Sequence, residues 1–323
     1  MPQNTLDPNI PALPVFKYRF EYSISQPLRL PQYPGSAWRG AFGHALKKTV
    51  CIVRNTSCTG CMLKSSCAYS YIFETPPPPN TAKMRKYTAS PHPFALRFPE
   101  RDCIEPDSYR LDVLVIGHGQ RFFPYIVHAL QKAGQDGIGG GRQPFELDHI
   151  KQYLQNRRVE TVYRAGQLSS HDTESIDPLP AMPERIRLAI HSPLRIKQNN
   201  HNLNPYTFNF GAFFGNLLRR ISMLTYFHTD TPLETNFAEL TRAARQIAFT
   251  DQDLRWFDWT RYSSRQATEM NMGGVLGSVC LDMQGMEPFW PYLWLGQWTH
   301  VGKGTSMGMG HYSIETASLS DTE

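Results

Sequence analysis

The segment Val301-Gly302-Lys303-Gly304-Thr305-Ser306-Met307-Gly308-Met309-Gly310 places four glycines, one lysine and two hydroxyls within ten residues near the end of the chain. Glycine lets a backbone pass close to a phosphate with its amides turned outward, and Lys303, Thr305 and Ser306 add charge and further donors. The pattern predicts a phosphate or nucleic-acid cradle; the plainer alternative is a connection with glycines at turn positions. Two familiar glycine loops are excluded by spacing. A P-loop needs Lys-Ser/Thr directly after its last glycine at the start of a helix, and a dinucleotide fingerprint needs G-x-G-x-x-G between strand and helix. Here a strand-like run, Tyr312-Ser313-Ile314, follows the loop.

A second candidate lies on a helix expected over residues 36–50. Ala37, Trp38, Ala41, Phe42, Ala45, Leu46, Thr49 and Val50 form one apolar stripe, and the other side carries Arg39, Gly40, Gly43, His44, Lys47 and Lys48. His44 lies at i−3 and i−4 from the two lysines, so all three can meet one ligand. Imidazole takes a proton from a ribose 2′-hydroxyl near neutrality, while a lysine stabilises charge growing on phosphorus or protonates the leaving oxygen. No catalytic metal is needed for that chemistry. His300, beside Lys303, is the rival base, with packing or a hydrogen bond to the loop backbone as its other role. Arg261 and Arg265 flank Tyr262-Ser263-Ser264 in a basic, hydroxylic run suited to RNA, and Trp256-Phe257-Asp258-Trp259 suits either base stacking or a core.

Cys51, Cys58, Cys61 and Cys67 follow the spacing C-x6-C-x2-C-x5-C. Clustered thiolates suit a structural zinc; an iron–sulfur cluster and free thiols are the alternatives.

Lys and Arg number 33 against 28 Asp and Glu, a mild positive bias that suits a polyanionic partner. The leading residues are polar and proline-rich, without a cationic start and apolar run, and no stretch approaches the roughly 18 apolar residues of a membrane span. A soluble cytoplasmic protein with no membrane partner is expected.

At 323 residues the chain is long enough for two domains. Phe16, Tyr18, Phe20, Tyr22 and Ile24 alternate with polar residues as a half-buried strand. The helix at 36–50, strands near 94–98 and 110–116, a helix near 124–132 and a strand at 159–164 complete a β-α-β-β-α-β order. A cysteine-bearing insertion occupies about 51–80, ending in the extended run Pro76–Pro79. After a polar linker around 168–183 the order recurs: a strand at 186–190, helices at 213–226 and 237–248, a strand at 274–283, an aromatic segment at 289–298, the glycine loop and a last strand. The fold class expected is α+β, with two tandem ferredoxin-like (RRM-like) domains over residues 15–167 and 184–316.

The ordered set Gly35-Ser36-Ala37-Trp38-Arg39-Gly40-Ala41-Phe42-Gly43, the cysteine cluster, Gly137-Ile138-Gly139, Ser192-Pro193-Leu194-Arg195, Arg261-Tyr262-Ser263, Gly273-Gly274 with Gly277, and His300-Val301-Gly302-Lys303 resembles the RAMP-superfamily CRISPR-associated endoribonucleases that process precursor crRNA. The resemblance implies metal-independent cleavage of CRISPR repeat RNA by a 2′-hydroxyl, leaving a 2′,3′-cyclic phosphate and a 5′-hydroxyl. It places the catalytic histidine at His44, with Lys47, Lys48 and Tyr33 beside it. RNA contacts fall at Arg39, Gly302, Lys303, Gly304, Ser306, Gly308 and Gly310. A non-catalytic RAMP subunit, binding RNA among the other subunits of an effector complex, is the alternative that the same residues allow. A nucleotide-binding enzyme is the third.

Overall fold

The protein is described by a computed structural model, over residues 10–26, 28–54, 57–58, 60–75, 90–99, 105–169, 174–263 and 268–316. Arg265, the run Pro76–Pro79 and residues 170–173 of the expected linker lie outside the described residues. The chain divides into two compact units. One comprises Leu13–Asp177 with Tyr226–Asp230, and the other Pro178–Thr225 and Thr231–Glu323 with the first residues of the chain.

The first unit runs β1 (Val15–Ser23), α1 (Gly35–Val50), a π-helical turn (Ser70–Glu74), β2 (Phe94–Arg97), β3 (Ser108–Ile116), α2 (Phe123–Asp136), β4 (Glu146–Tyr153), β5 (Val159–Arg164) and β6 (Gln167–Leu168). Its antiparallel sheet has the order β2-β3-β1-β4-β5-β6. The first four of those strands, with α1 and α2, make the ferredoxin-like β-α-β-β-α-β pattern. Phe16, Tyr18, Phe20 and Tyr22 of β1 pack in one core with Trp38, Phe42 and Leu46 of α1 and Phe123, Ile126 and Leu130 of α2. Strand alternation follows directly: the same period turns Lys17, Arg19 and Glu21 to the opposite face.

The strand expected at 159–164 to close the pattern is β5, one place further out; the closing strand is β4. Its sequence, ELDHIKQY, hides the period-2 signal because the register shifts between Glu21 and Tyr22. Glu21 pairs with His149 and Tyr22 with Leu147, so Asp148 is extra. This bulge lets Leu147 and Ile150, three residues apart, both be buried.

The second unit runs β7 (Arg185–Leu194), the short hairpin β8 (Lys197–Gln198) and β9 (His201–Asn202), α3 (Phe210–His228), α4 (Phe237–Ala244), β10 (Asp251–Phe257), the ribbon β11 (Thr260–Ser263) and β12 (Thr268–Asn271), β13 (Gly274–Asp282), α5 (Trp290–Thr299) and β14 (Tyr312–Thr316). The last turn of α3 belongs to the first unit. Sheet order β10-β13-β7-β14 is again the ferredoxin-like one, with the ribbon inserted in the β10–β13 connection. Phe214 of α3 meets Phe289 and Tyr292 edge-on at 4.8 and 5.7 Å. Asn236 caps α4, accepting from the Glu239 amide at 3.1 Å while its own amide donates to the Glu239 carboxylate at 2.8 Å. The helix expected to reach residue 248 ends at Ala244. Trp256, expected to stack bases or pack, lies on the edge strand β10, whereas Trp259 is buried. No helix among the described residues is long and apolar enough to cross a membrane.

On the face of the first sheet opposite its helices, Asp112 takes a forked contact from Arg19, 2.7 Å from Nε and 3.1 Å from Nη2, with Lys17 Nζ at 3.5 Å. Burial alone would raise this carboxyl, but the Arg19 hydrogen bond and the charges of Lys17, Arg19 and Arg97 outweigh it and hold it below the usual carboxylate range. A carboxyl depressed in the folded state contributes stability above its unfolded value near 4, and that contribution is lost as pH falls through the folded value. Asp112→Asn leaves these cations without their shared anion and is expected to cost about 3 kcal/mol at pH 7. Urea unfolding of the variant against the parent chain measures it, and the difference should shrink on acidification below about pH 4.

Candidate active-site helix and nucleic-acid interface

The orientation of α1 is set by its aromatic face. Trp38 is fully buried, stacked on Tyr109 at 5.4 Å and tilted against Tyr22 at 5.5 Å; Phe42 meets Phe73 and Phe94 edge-on at 5.0 and 5.4 Å. At about 100° per residue, burying Trp38, Phe42, Ala45 and Leu46 turns Gly40, His44 and Lys48 outward. These three are exposed, and Lys47 is half-buried beside them with Nζ 5.6 Å from the centre of the Tyr69 ring.

The two glycines of this face differ. A Cβ at Gly43 would lie 3.1 Å from the Phe73 ring, so packing restricts that position, but a Cβ at Gly40 would meet nothing within 4 Å. Gly40 is a mid-helix glycine with no packing reason to be one, at a cost of roughly 1 kcal/mol relative to alanine. It leaves bare backbone one turn before His44.

Arg39 is drawn to the edge of this arc. Its Nη2 lies 3.0 Å from His92 Nε2, and its guanidinium sits 5.3 Å from the centre of the Phe73 ring. Arginine only donates, so His92 accepts at Nε2. Nothing in the sequence linked position 92 to α1; the contact exists because Pro91 and Pro93 bring the chain into β2 beside the helix. Tyr33 does not join His44. It is buried edge-on against Phe98 at 6.1 Å and precedes Gly35, the first residue of α1. His44 is nine residues further, roughly 13 Å along the axis.

In the second unit, the glycine loop is a folded structure rather than a slack connection. Gly302, Gly304, Gly308 and Gly310 have φ of 82°, 78°, 83° and 71°. A Cβ at Gly302 would come within 2.5 Å of the Arg195 carbonyl, and one at Gly310 would run into the Val301 carbonyl. The loop is bound to the end of β7: the Lys303 amide donates to Arg195 O at 2.9 Å, the Gly310 amide to Pro193 O at 3.2 Å, and Ser192 Oγ to Gly308 O at 2.7 Å. Lys303 is exposed and Gly302 and Gly304 are half-exposed, while Thr305, Ser306, Gly308 and Gly310 are buried. The surface the loop can offer a polyanion is therefore its first three glycine-lysine residues, and Ser306, Gly308 and Gly310 shape it from beneath.

His300, the rival base, leaves the candidate set. It is fully buried in a left-handed conformation at φ 60°, with Nδ1 3.2 Å from the Met309 carbonyl oxygen, so it serves the loop backbone. Arg220, one of a pair of arginines on α3, is turned inward as well. Its Nε donates to Thr299 O at 2.6 Å, placing a cation at the C-terminus of α5 where the loop begins. Burial lowers this guanidinium to about 9.

Arg261 lies on β11 against the loop. Nη1 is 3.3 Å from Met307 Sδ and Nη2 3.5 Å from Met270 Sδ, with Nε buried and unbonded. Thioethers are weak acceptors, so this guanidinium keeps most of its capacity for an anion. Arg195 ties the loop to the ribbon, donating to the carbonyls of Asn271 and Gly273 at 3.3 and 3.2 Å.

Cys51, Cys58, Cys61 and Cys67 are half-buried free thiols. The Cys61 amide bonds Cys58 O at 3.4 Å and the Cys67 amide bonds Leu63 O at 2.9 Å, so the segment is turned locally as the spacing suggested. Burial, with Glu74 nearby, pushes the Cys58 thiol up rather than toward thiolate. Among the described residues no three His, Cys, Asp or Glu side chains form a group that could hold a metal ion. Cys51 and Cys67 are also near enough to Cys58 to act on its thiol through their charge.

Comparison with known proteins follows this division. The AF_1859_N family model, an N-terminal domain, matches residues 13–175, and the model of the CRISPR-associated endoribonuclease Cas6 matches residues 188–312. An uncharacterized protein of Archaeoglobus fulgidus is 26% identical over 152 residues, covering 46% of this chain and 51% of its own, so the chain spans about half the length of that relative. A Cas6 product complex superposes with a TM-score of 0.58 at 15% identity, over 94% of this chain and 99% of the other. Thermus thermophilus Cas6 gives 0.54 at 16% identity, with the same coverage. A partial Cas6-RT-Cas1–Cas2 complex gives 0.57 at 16%, over 95% of this chain and 47% of the other. At these identities the solved structures establish the shared tandem ferredoxin-like fold. Half of the chain matches the first model, so the chain belongs to the AF_1859_N family, and its C-terminal part is similar to the Cas6 CRISPR-associated endoribonucleases.

Proposed function

We propose that the protein binds CRISPR repeat RNA and cleaves precursor crRNA without a catalytic metal, with His44 as the proton-transfer residue. The observation that carries this reading is the outward arc of α1, where an exposed imidazole, two lysines and an uncluttered glycine share one surface. His44 takes the proton of the ribose 2′-hydroxyl, and the 2′-oxygen attacks the adjacent phosphorus. The bond to the 5′-oxygen breaks, and that oxygen leaves as a 5′-hydroxyl with a proton from a lysine ammonium of the same arc, which the imidazolium of His44 restores. A 2′,3′-cyclic phosphate remains on the other fragment. Lys47 and Lys48 stabilise the charge that grows on the non-bridging oxygens. Gly40 gives the phosphodiester a close approach to the helix backbone. Lys303 and Arg261 hold the RNA by its phosphates, contacts that fix position and carry no sequence information. The family match and the neighbour described as a product complex support RNA as the substrate.

Repeat RNA from the array in the same genome, incubated with the protein in EDTA, is expected to be cut to a cyclic phosphate end. A copy with a 2′-deoxy sugar at the cut site is expected to bind and stay whole. Folding is followed in parallel by circular dichroism. His44→Ala is expected to lower single-turnover cleavage about a hundredfold or more while retaining affinity. Tight binding of both RNAs by the wild-type protein, with neither cut, would instead leave a non-catalytic RNA-binding subunit.

Gly40→Ala separates stability from function. It is expected to raise stability by about 1 kcal/mol, because the helix gains and nothing is crowded. Cleavage should fall, as the methyl occupies the approach to the backbone. Thermal melts and single-turnover rates on the same preparation test both signs.

A further inference from the structure

Three imidazoles lie in ring contact at the foot of the glycine loop, the inner pair stacked and the outer pair tilted. His300 lies before it, His311 directly after it, and His191 on β7 alongside. The His300 and His311 rings are 5.2 Å apart at 25°, and those of His311 and His191 are 5.0 Å apart at 32°. Strand pairing fixes this column. Tyr312 pairs with Ile190, and both are buried, so His311 and His191 belong to the opposite face of the sheet. The His191 amide donates to His311 O at 3.0 Å, and the His311 amide donates to Ser192 Oγ at 2.8 Å. Exposure rises along the column: His300 is buried, His311 half-buried and His191 exposed. The outer ring is also held at its edge, where His191 Nε2 lies 2.7 Å from Ser313 Oγ.

We propose that His191 is a base-stacking residue, the outer end of an imidazole column onto which an unpaired nucleobase of the bound RNA stacks. The inference rests on the reading that the glycine loop engages RNA, and adds to it a subsite for a single-stranded base. An aromatic ring backed by a second ring and tied at its edge is already ordered, so stacking a base on it costs little further side-chain entropy. Single-stranded RNA offers the matching surface, since its unstacked bases are read by aromatic side chains, histidine included, and every base has a π-face. Phosphates of the same strand lie within a nucleotide or two of any stacked base, which suits a column built from the two residues that flank the loop carrying Lys303. A strand with its phosphates on the loop would thus have a base directed at the sheet.

The test uses the full-length protein and repeat RNAs from its own array, each with 2-aminopurine at one unpaired position. At one position wild-type protein should change the probe's fluorescence. His191→Ala should abolish that change and weaken binding about five- to a hundredfold, the range for losing one base–aromatic stack. His191→Phe should restore both, because stacking needs the ring and not its nitrogens. At saturating RNA the cleavage rate of His191→Ala should equal that of wild type, which separates a binding residue from a proton-transfer one. If His191→Phe binds as weakly as His191→Ala, or if His191→Ala binds like wild type, the stacking role is overturned while RNA binding stands. If wild-type protein binds no repeat RNA, the functional reading itself fails and the subsite falls with it. Thermal melts of both variants confirm folding, which a change at an exposed strand position should leave intact.

Discussion

The burial of Trp38 governs the first unit. Stacked on Tyr109 and packed against Tyr22 and Phe145, it fixes the rotation of α1 about its own axis. Everything chemical on that helix follows from this angle, because His44, Lys47, Lys48 and Gly40 have no say in which way they point. A helix held by a weaker apolar stripe would rotate or slide, and a proton-transfer residue misplaced by 1 Å loses much of its advantage. The cost of an exposed glycine in such a helix is tolerable for the same reason: tertiary packing, and not intrinsic propensity, holds the helix.

The second unit solves a different problem, which is to hold a loop of ten residues in one shape. Its glycines are required at left-handed φ and, at 302 and 310, by a carbonyl where a side chain would begin. The backbone amides that an anion cradle would need are partly consumed: those of Lys303, Met307, Gly308, Met309 and Gly310 all donate within the unit. What remains for a polyanion is therefore the charge of Lys303 and Arg261 and the low relief that glycine allows. Arg220 on the last carbonyl of α5 and His300 on Met309 O then act as anchors, stiffening the loop from behind.

Local periodicity made much of this legible in the sequence. The apolar stripe of α1 named its buried face, and the outward group of Gly40, His44 and Lys48 follows from it. The alternation of β1, with the order of the elements after it, indicated the repeated β-α-β-β-α-β pattern. The failures have physical causes. β4 was unreadable because a bulge puts Leu147 and Ile150 on one face, and β10 because an edge strand needs no buried alternation. Tyr33 and Arg39 could be placed near α1 but not judged, since Phe98 and His92 reach them from distant parts of the chain. The cysteine spacing, by contrast, foretold the local turns that the Cys61 and Cys67 amides close.

His44 and His300 show what separates a candidate from a reactive group. Both stand near lysines in the sequence, and both carry the imidazole that proton transfer to or from RNA calls for. Proton transfer to an external substrate requires a ring nitrogen that the substrate can reach. His300 has an interior site, a strained backbone at φ 60° and a ring nitrogen committed to a carbonyl of its own loop, so its chemistry is spent on architecture. His44 is on the outside of a helix whose other side is rigidly packed, with cations one turn away and bare backbone one turn before it. The difference follows from burial: the interior histidine braces its own loop, and the exterior one faces solvent beside two lysines.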